Sequence, residues 1–92
     1  MRTLAKIIRA EPAGGHALAI TFADGRHGIW QADFTERNGP MIQPLRDASF
    51  FARVFIEDGA LAWPNGWDAS ADYILEEMRQ AGSLRGKLAA AE

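Results

Sequence analysis

Residues 16–30, "HALAITFADGRHGIW", constrain the fold more than any other part of the chain. Leu18, Ile20 and Phe22 alternate with Ala17, Ala19 and Thr21. A period of two sends successive side chains to opposite faces, which is the pattern of a half-buried strand. Asp24-Gly25 follows, and "RHGIWQ" then reads as a return strand carrying Ile29 and Trp30. An Asp-Gly pair between two apolar segments predicts a hairpin with a type I′ turn, which needs positive φ at both central residues. A hairpin with one apolar face must bury that face against another layer.

The rest of the chain supplies that layer. "TLAKIIRAEP", with Leu4, Ile7 and Ile8, predicts a strand that stops at Pro12 and Gly14-Gly15. Asn38-Gly39-Pro40 and Pro44 punctuate the middle and leave room only for short helical turns. Asp47 is placed to cap a short helix over "ASFFA", and Leu45, Phe50 and Phe51 are expected in the core. "RVFIE" and "ALAW" flank Asp58-Gly59 and predict a second hairpin, with Val54 and Ile56 in phase on one strand and Leu61 and Trp63 on the other. Ser70 reads as an N-cap and Asp72 suits the first helical turn. Ala71, Ile74, Leu75 and Met78 then share one helix face up to Gly82. The expected fold class is α+β: a small two-layer domain, an antiparallel sheet built from two hairpins with helices packed on one face. It spans residues 1–82 as one domain, and 83–92 is a short tail, either frayed or a second helical turn.

Composition narrows the function. Ninety-two residues make one domain. With 48% apolar and 24% charged residues the chain is not expected to be disordered. The absence of cysteine excludes disulfides, thiolate nucleophiles and cysteine-based zinc sites. A net charge of −2 argues against direct nucleic-acid binding through many phosphate contacts. No apolar run approaches the roughly 18–20 residues of a membrane span, and Lys6 and Arg9 interrupt any signal-peptide core in "MRTLAKIIRAEPAGG". A cytoplasmic location is the default expectation.

Few residues are arranged for chemistry. His16 and His27 fall on neighbouring strands with Asp24 in the turn between them, a minimal metal set without a recognised ligand spacing. They are expected to be exposed polar residues near a sheet edge, with no metal and no cofactor. Ser49, Ser70 and Ser83 lack the context of a nucleophile, and "AGGH" lacks the lysine and spacing of a phosphate loop. Asp33, Glu36, Asp68 and Asp72 are candidate carboxylates that the sequence cannot bring together. No catalytic residue is expected. Arg9, Arg26, Arg46 and Arg53, and the group Arg79, Arg85 and Lys87, read as solvated surface.

"WPNGWD", residues 63–68, is the one dense cluster of contact-prone side chains. Pro64 suits the second position of a turn, Asn65 tolerates a left-handed conformation at the third, and Gly66 completes it. The turn is expected to lead from the last strand toward the helix, with Asp68 folded back on local amides. Trp63 is expected in the core. Trp67 either packs or is extruded beside Asn65 and Asp68 as a contact hot spot. The candidate partner- or ligand-binding residues are therefore Trp63, Asn65, Gly66, Trp67 and Asp68, with Asp33.

"GIWQADF" and "GPMIQPLRDASFFARVFIEDGALAWPNGWDASADYI" together resemble the family of small bacterial proteins called domain of unknown function 2442. The run "LRD…F…V…WPNG.D" carries the likeness, which reaches to about Met78. The resemblance implies a small α+β fold. Some relatives add a C-terminal helix-turn-helix domain, for which this chain leaves no room. Others look like partners in gene pairs of toxin–antitoxin type, and no catalytic residues are agreed. Two positions depart from the family pattern: Trp67, where a small residue is common, and Ala71, where proline is frequent.

The leading expectation is a non-catalytic interaction module that binds another small protein, or itself as a homodimer, through an exposed sheet edge or the "WPNGWD" corner. Its most specific form is an antitoxin-like or regulatory partner. The alternative is the sensor or dimerisation half of a nucleic-acid-associated regulator. A third reading is a small-ligand or enzyme site around Asp33, Trp63, Asn65 and Asp68.

Overall fold

Leu18, Ile20 and Phe22 lie side by side on the buried face of β2 (Ala17–Phe22). The alternation that predicted this strand is therefore the alternation of the core. The computed structural model describes residues 5–34 and 37–86. Leu4, Glu36, Lys87 and the tail from 87 onward lie outside the described residues. β2 pairs antiparallel with β1 (Ile7–Pro12) and β3 (His27–Gln31). On β3, Trp30 is buried and Ile29 exposed, again with period two.

The turn between β2 and β3 is not the type I′ form that Asp24-Gly25 predicted. Gly25 takes positive φ (97°), whereas Asp24 does not. The Gly25 N–H donates to Phe22 O at 3.0 Å, and Phe22 N–H donates to Arg26 O at 2.8 Å. This is a three-residue loop whose last residue is left-handed. Asp24 decides it: its carboxylate accepts from the Arg26 backbone N–H at 3.0 Å and from the guanidinium at 2.7 Å. The Asp58-Gly59 turn does take the I′ form, with φ of 54° and 80°.

The Arg26 guanidinium holds the Asp24 carboxyl below the usual carboxylate range, partly opposed by burial. A carboxyl lowered in the folded state stabilises the fold above its ordinary titration range, and the contribution is lost as pH falls through the lowered value. Asp24→Asn keeps an oxygen for the Arg26 amide and removes the charge. It is expected to cost up to about 1 kcal/mol at pH 7 and less as the pH falls toward about 2, measured by urea unfolding at both. An unchanged deficit in acid would assign the loss to the turn rather than to the charge.

The middle segment is built as its punctuation suggests. Pro44 sits in a 3-10 turn, Gln43–Arg46, that buries Leu45. Asp47 caps α1 (Ala48–Phe51) through the Ser49 N–H, and Phe51 enters the core. Phe50 is only partly buried and lies under the Arg53 guanidinium, 5.8 Å from its ring centre. The second hairpin, β4 (Phe55–Glu57) and β5 (Ala60–Ala62), buries Leu61. β4 itself is exposed throughout, Ile56 included.

The two hairpins lie in separate hydrogen-bonded sheets. One runs β1-β2-β3-β7, where β7 is Leu84–Arg85, and the other β4-β5-β6, where β6 is Asp68–Ala69. A bulge between Ile7 and Arg9 interrupts the β1–β2 register, and the Ile7 N–H reaches Gly59 O at 2.8 Å in the turn of the second hairpin. That bond joins the sheets at one point.

Helix α2 (Ala71–Ala81) follows the sequence closely. Ser70 accepts from Tyr73 N–H as its cap, and Ala71, Ile74 and Met78 are buried. Gly82 ends the helix at φ 75°, with Gly82 N–H bonded to Arg79 O and Ser83 N–H to Met78 O. These two bonds form a Schellman cap. Of the segment beyond, residues 83–86 are described, and there Leu84–Arg85 forms β7, which pairs with Gly28 and His27 of β3. The structure therefore extends the domain past Gly82. The core gathers Ile7, Leu18, Ile20, Phe22 and Trp30 from one sheet, Leu61 and neighbouring Trp63 from the other, and Phe51, Ile74 and Met78 from the helices.

Candidate functional site

The "WPNG" corner repeats the first hairpin turn atom for atom. Gly66 N–H donates to Trp63 O at 2.9 Å, and Trp63 N–H to Trp67 O at 3.0 Å. Gly66 takes positive φ (95°), so the left-handed residue is Gly66 and not Asn65. The Asn65 side chain accepts from Trp67 N–H at 3.2 Å, as Asp24 does from Arg26 N–H. The amide end of Asn65 donates to Met41 O at 2.9 Å and ties the corner to the preceding loop. The turn delivers the chain to a third strand, β6 (Asp68–Ala69), and only then to the helix.

Its two indoles are structural to different degrees. Trp63 is 1% exposed and its Nε1–H donates to Phe51 O at 2.8 Å. Trp67 is half-buried, with its ring 5.1 Å from Trp63 and 5.9 Å from Phe34. Packing thus accounts for much of Trp67, and the extruded arrangement is not found. Asp68 is exposed on β6 opposite Ala62, rather than folded back as an Asx turn.

The candidate residues do not converge. Trp67 and Asp68 border a cleft of about 180 Å³ with Arg37, Ser70 and Tyr73. The Tyr73 hydroxyl accepts from Arg37 at 2.6 Å, and burial, reinforced by Glu77, raises its pKa. Asp33 borders a different cleft of about 280 Å³, with His16, Gln31, Phe34 and Arg46. Trp63 and Asn65 line neither.

His16 also departs from expectation. It is half-buried between Phe34 and Phe51, with ring centres 5.9 and 5.0 Å away, and Nε2 lies 2.8 Å from Leu45 O. A carbonyl accepts only, so Nε2 carries the proton. His27 is exposed at the far end of the hairpin, near Gly25 O. Among the described residues no group of three potential ligands is placed to hold a metal ion. Ser70 is occupied as a cap, and Arg79 is paired with Glu76 at 2.6 Å. No helix among the described residues is long and apolar enough to cross a membrane.

Sequence reasoning placed a strand over "RVFIE" and named an exposed sheet edge without saying which; the structure places β4 at an edge. Phe55 (46% exposed) and Ile56 (37%) are consecutive large apolar residues on an edge strand. The signal was present in "VFIE", which carries no inward charge or proline to blunt an edge.

The fold and this edge define a small α+β domain of two short sheets with an open apolar strand. The chain belongs to the family of proteins of unknown function DUF2442, whose model matches residues 7–80. That span runs from the first residue of β1 almost to the end of α2. No curated protein and no solved structure matches the chain.

Proposed function

We propose that this protein is a non-catalytic interaction module that docks a protein partner by strand addition at β4. The observation that carries the reading is the exposure of Phe55 and Ile56 on the outer strand of the three-stranded sheet. Strand addition uses backbone hydrogen bonds for affinity and alternate side chains for specificity. A three-residue edge suits a modest, regulated association more than a permanent one. The "WPNGWD" corner supports the site indirectly: it clamps β5 to β6 and so holds β4 in position. An antitoxin-like or regulatory partner of a small protein is the most specific form of this reading.

The test is a photo-crosslinking residue at Phe55 in the full chain, expressed in cells. A discrete adduct is expected, and Ile56→Pro should abolish it while leaving the fold intact. Proline removes an edge N–H and is tolerated at edge positions. No adduct at Phe55, or one indifferent to Ile56→Pro, would overturn the reading.

A further inference from the structure

We infer that the partner taken up by β4 is a second copy of the same strand, paired antiparallel about a two-fold axis at Phe55. This rests on the reading of β4 as the docking edge and names its occupant.

The register follows from hydrogen-bond parity. Glu57 and Ala60 flank the two-residue Asp58-Gly59 turn, so they form a hydrogen-bonded pair. Bonding alternates along an antiparallel ladder, which makes Phe55 with Ala62 the next such pair and Ile56 with Leu61 a non-bonded one. Ile56 therefore turns its N–H and C=O away from β5, toward the side of β4 on which no strand pairs among the described residues. Val54 precedes β4, and extending the ladder by one residue gives it the same parity. A strand added there must bond to Val54 and Ile56, with Phe55 opposite a non-bonded position.

The sequence "RVFIE", residues 53–57, is complementary to its own reverse in that register. With Phe55 opposite the partner's Phe55, Val54 meets the partner's Ile56 as a hydrogen-bonded pair. Arg53 meets the partner's Glu57, and two-fold symmetry makes this ion pair twice. Centring the axis on Ile56 would keep the bonding parity, but it would set Phe55 opposite the partner's Glu57 and Arg53 opposite the partner's Gly59, and would lose the ion pairs. Parity admits both registers, and charge selects the one centred on Phe55.

The monomer leaves these groups available. Among the described residues, neither Arg53 nor Glu57 is in an ion pair. Arg53 lies in the turn between α1 and β4, with its N–H bonded to Phe50 O at 2.9 Å and its guanidinium over the Phe50 ring, two residues before the strand that the partner's Glu57 would approach. Opposite charges placed directly across a strand pair are favourable, and like charges are unfavourable. An interface that is the same patch on both copies is also the commonest form of small assembly.

Sedimentation of the purified full chain over about a hundredfold concentration range tests this. Wild type is expected to pass from monomer to dimer. Glu57→Arg puts arginine opposite arginine and should weaken the dimer about tenfold or more, as should Arg53→Glu. The double variant Arg53→Glu/Glu57→Arg restores both pairs with reversed polarity and should recover association to within about threefold of wild type. Circular dichroism confirms that each variant is folded. Association untouched by the single changes, or not recovered by the double, overturns the register. A wild type that stays monomeric overturns the second copy as occupant. If that monomer still yields a Phe55 adduct with a different protein, the interaction module stands without the homodimer. If no adduct forms at Phe55, both readings fall.

Discussion

Trp63→Ala is expected to remove about 3–5 kcal/mol of unfolding free energy, the usual cost of emptying a large buried aromatic site. Domains of this size have about 5–15 kcal/mol in total, so the variant should be largely or partly unfolded at 37 °C. Two losses combine. The indole sits between the Phe51 and Trp67 rings, 5.6 and 5.1 Å away, so its removal opens the aromatic core at its centre. The Nε1–H also satisfies Phe51 O, and that carbonyl loses its donor when the ring goes. Trp63→Phe separates the terms. It keeps a ring and removes the donor, and should cost about 1–3 kcal/mol. Trp67→Ala, at a half-buried ring, should cost about 1–2 kcal/mol. Urea unfolding of the three variants gives the ranking directly. Equal losses at Trp63 and Trp67 would contradict their separate placement in the fold.

The same residues show what a sequence discloses. The strand alternation at Leu18, Ile20 and Phe22 and the helix face of Ala71, Ile74 and Met78 are local patterns, and the structure keeps them. His16 is in phase with Leu18, so the period that placed the core had already placed this histidine inward. Reading histidine as polar outweighed that phase. The turn at Asp24-Gly25 was legible as a hairpin and not as a type, because the Asp24 side chain accepts from the Arg26 N–H, one residue beyond the dipeptide. Asn65 in the second corner makes the same point: its side chain serves the Trp67 amide and Met41 O, and Gly66 takes the strained φ. β7 has no pattern of its own. Two residues become a strand only because the Schellman cap aims them at β3. The candidate site was half visible. "WPNGWD" drew notice through its composition, and its hydrogen bonds join β5 to β6 and to the Met41 loop, whereas the position of β4 at an edge depends on sheet order.

Gly28→Ala is the second large effect expected, and it tests the packing of the end of α2 against β3. Eight of the nine glycines have positive φ; Gly28 is the exception, an ordinary strand residue by conformation. Space is the reason for it. A Cβ built on Gly28 would lie 2.1 Å from the backbone oxygen of Ser83 and 3.0 Å from Met78 Cε. A backbone oxygen cannot rotate aside as a side chain can, so either β3 or the Schellman corner must move. Overpacking of this kind costs about 1–3 kcal/mol, and contact with backbone places it toward the upper end. For a domain of this size that corresponds to a fall in Tm of roughly 10 °C or more. The loss should be local before it is global: hydrogen exchange at the Arg85 amide, opposite His27, should accelerate more than at Ile20 in the centre of the sheet. An alanine tolerated without change in Tm or exchange would mean that Ser83 is not seated on β3. In that case α2 would be held by Ala71, Ile74 and Met78 alone, and the two residues of β7 would contribute nothing to the fold.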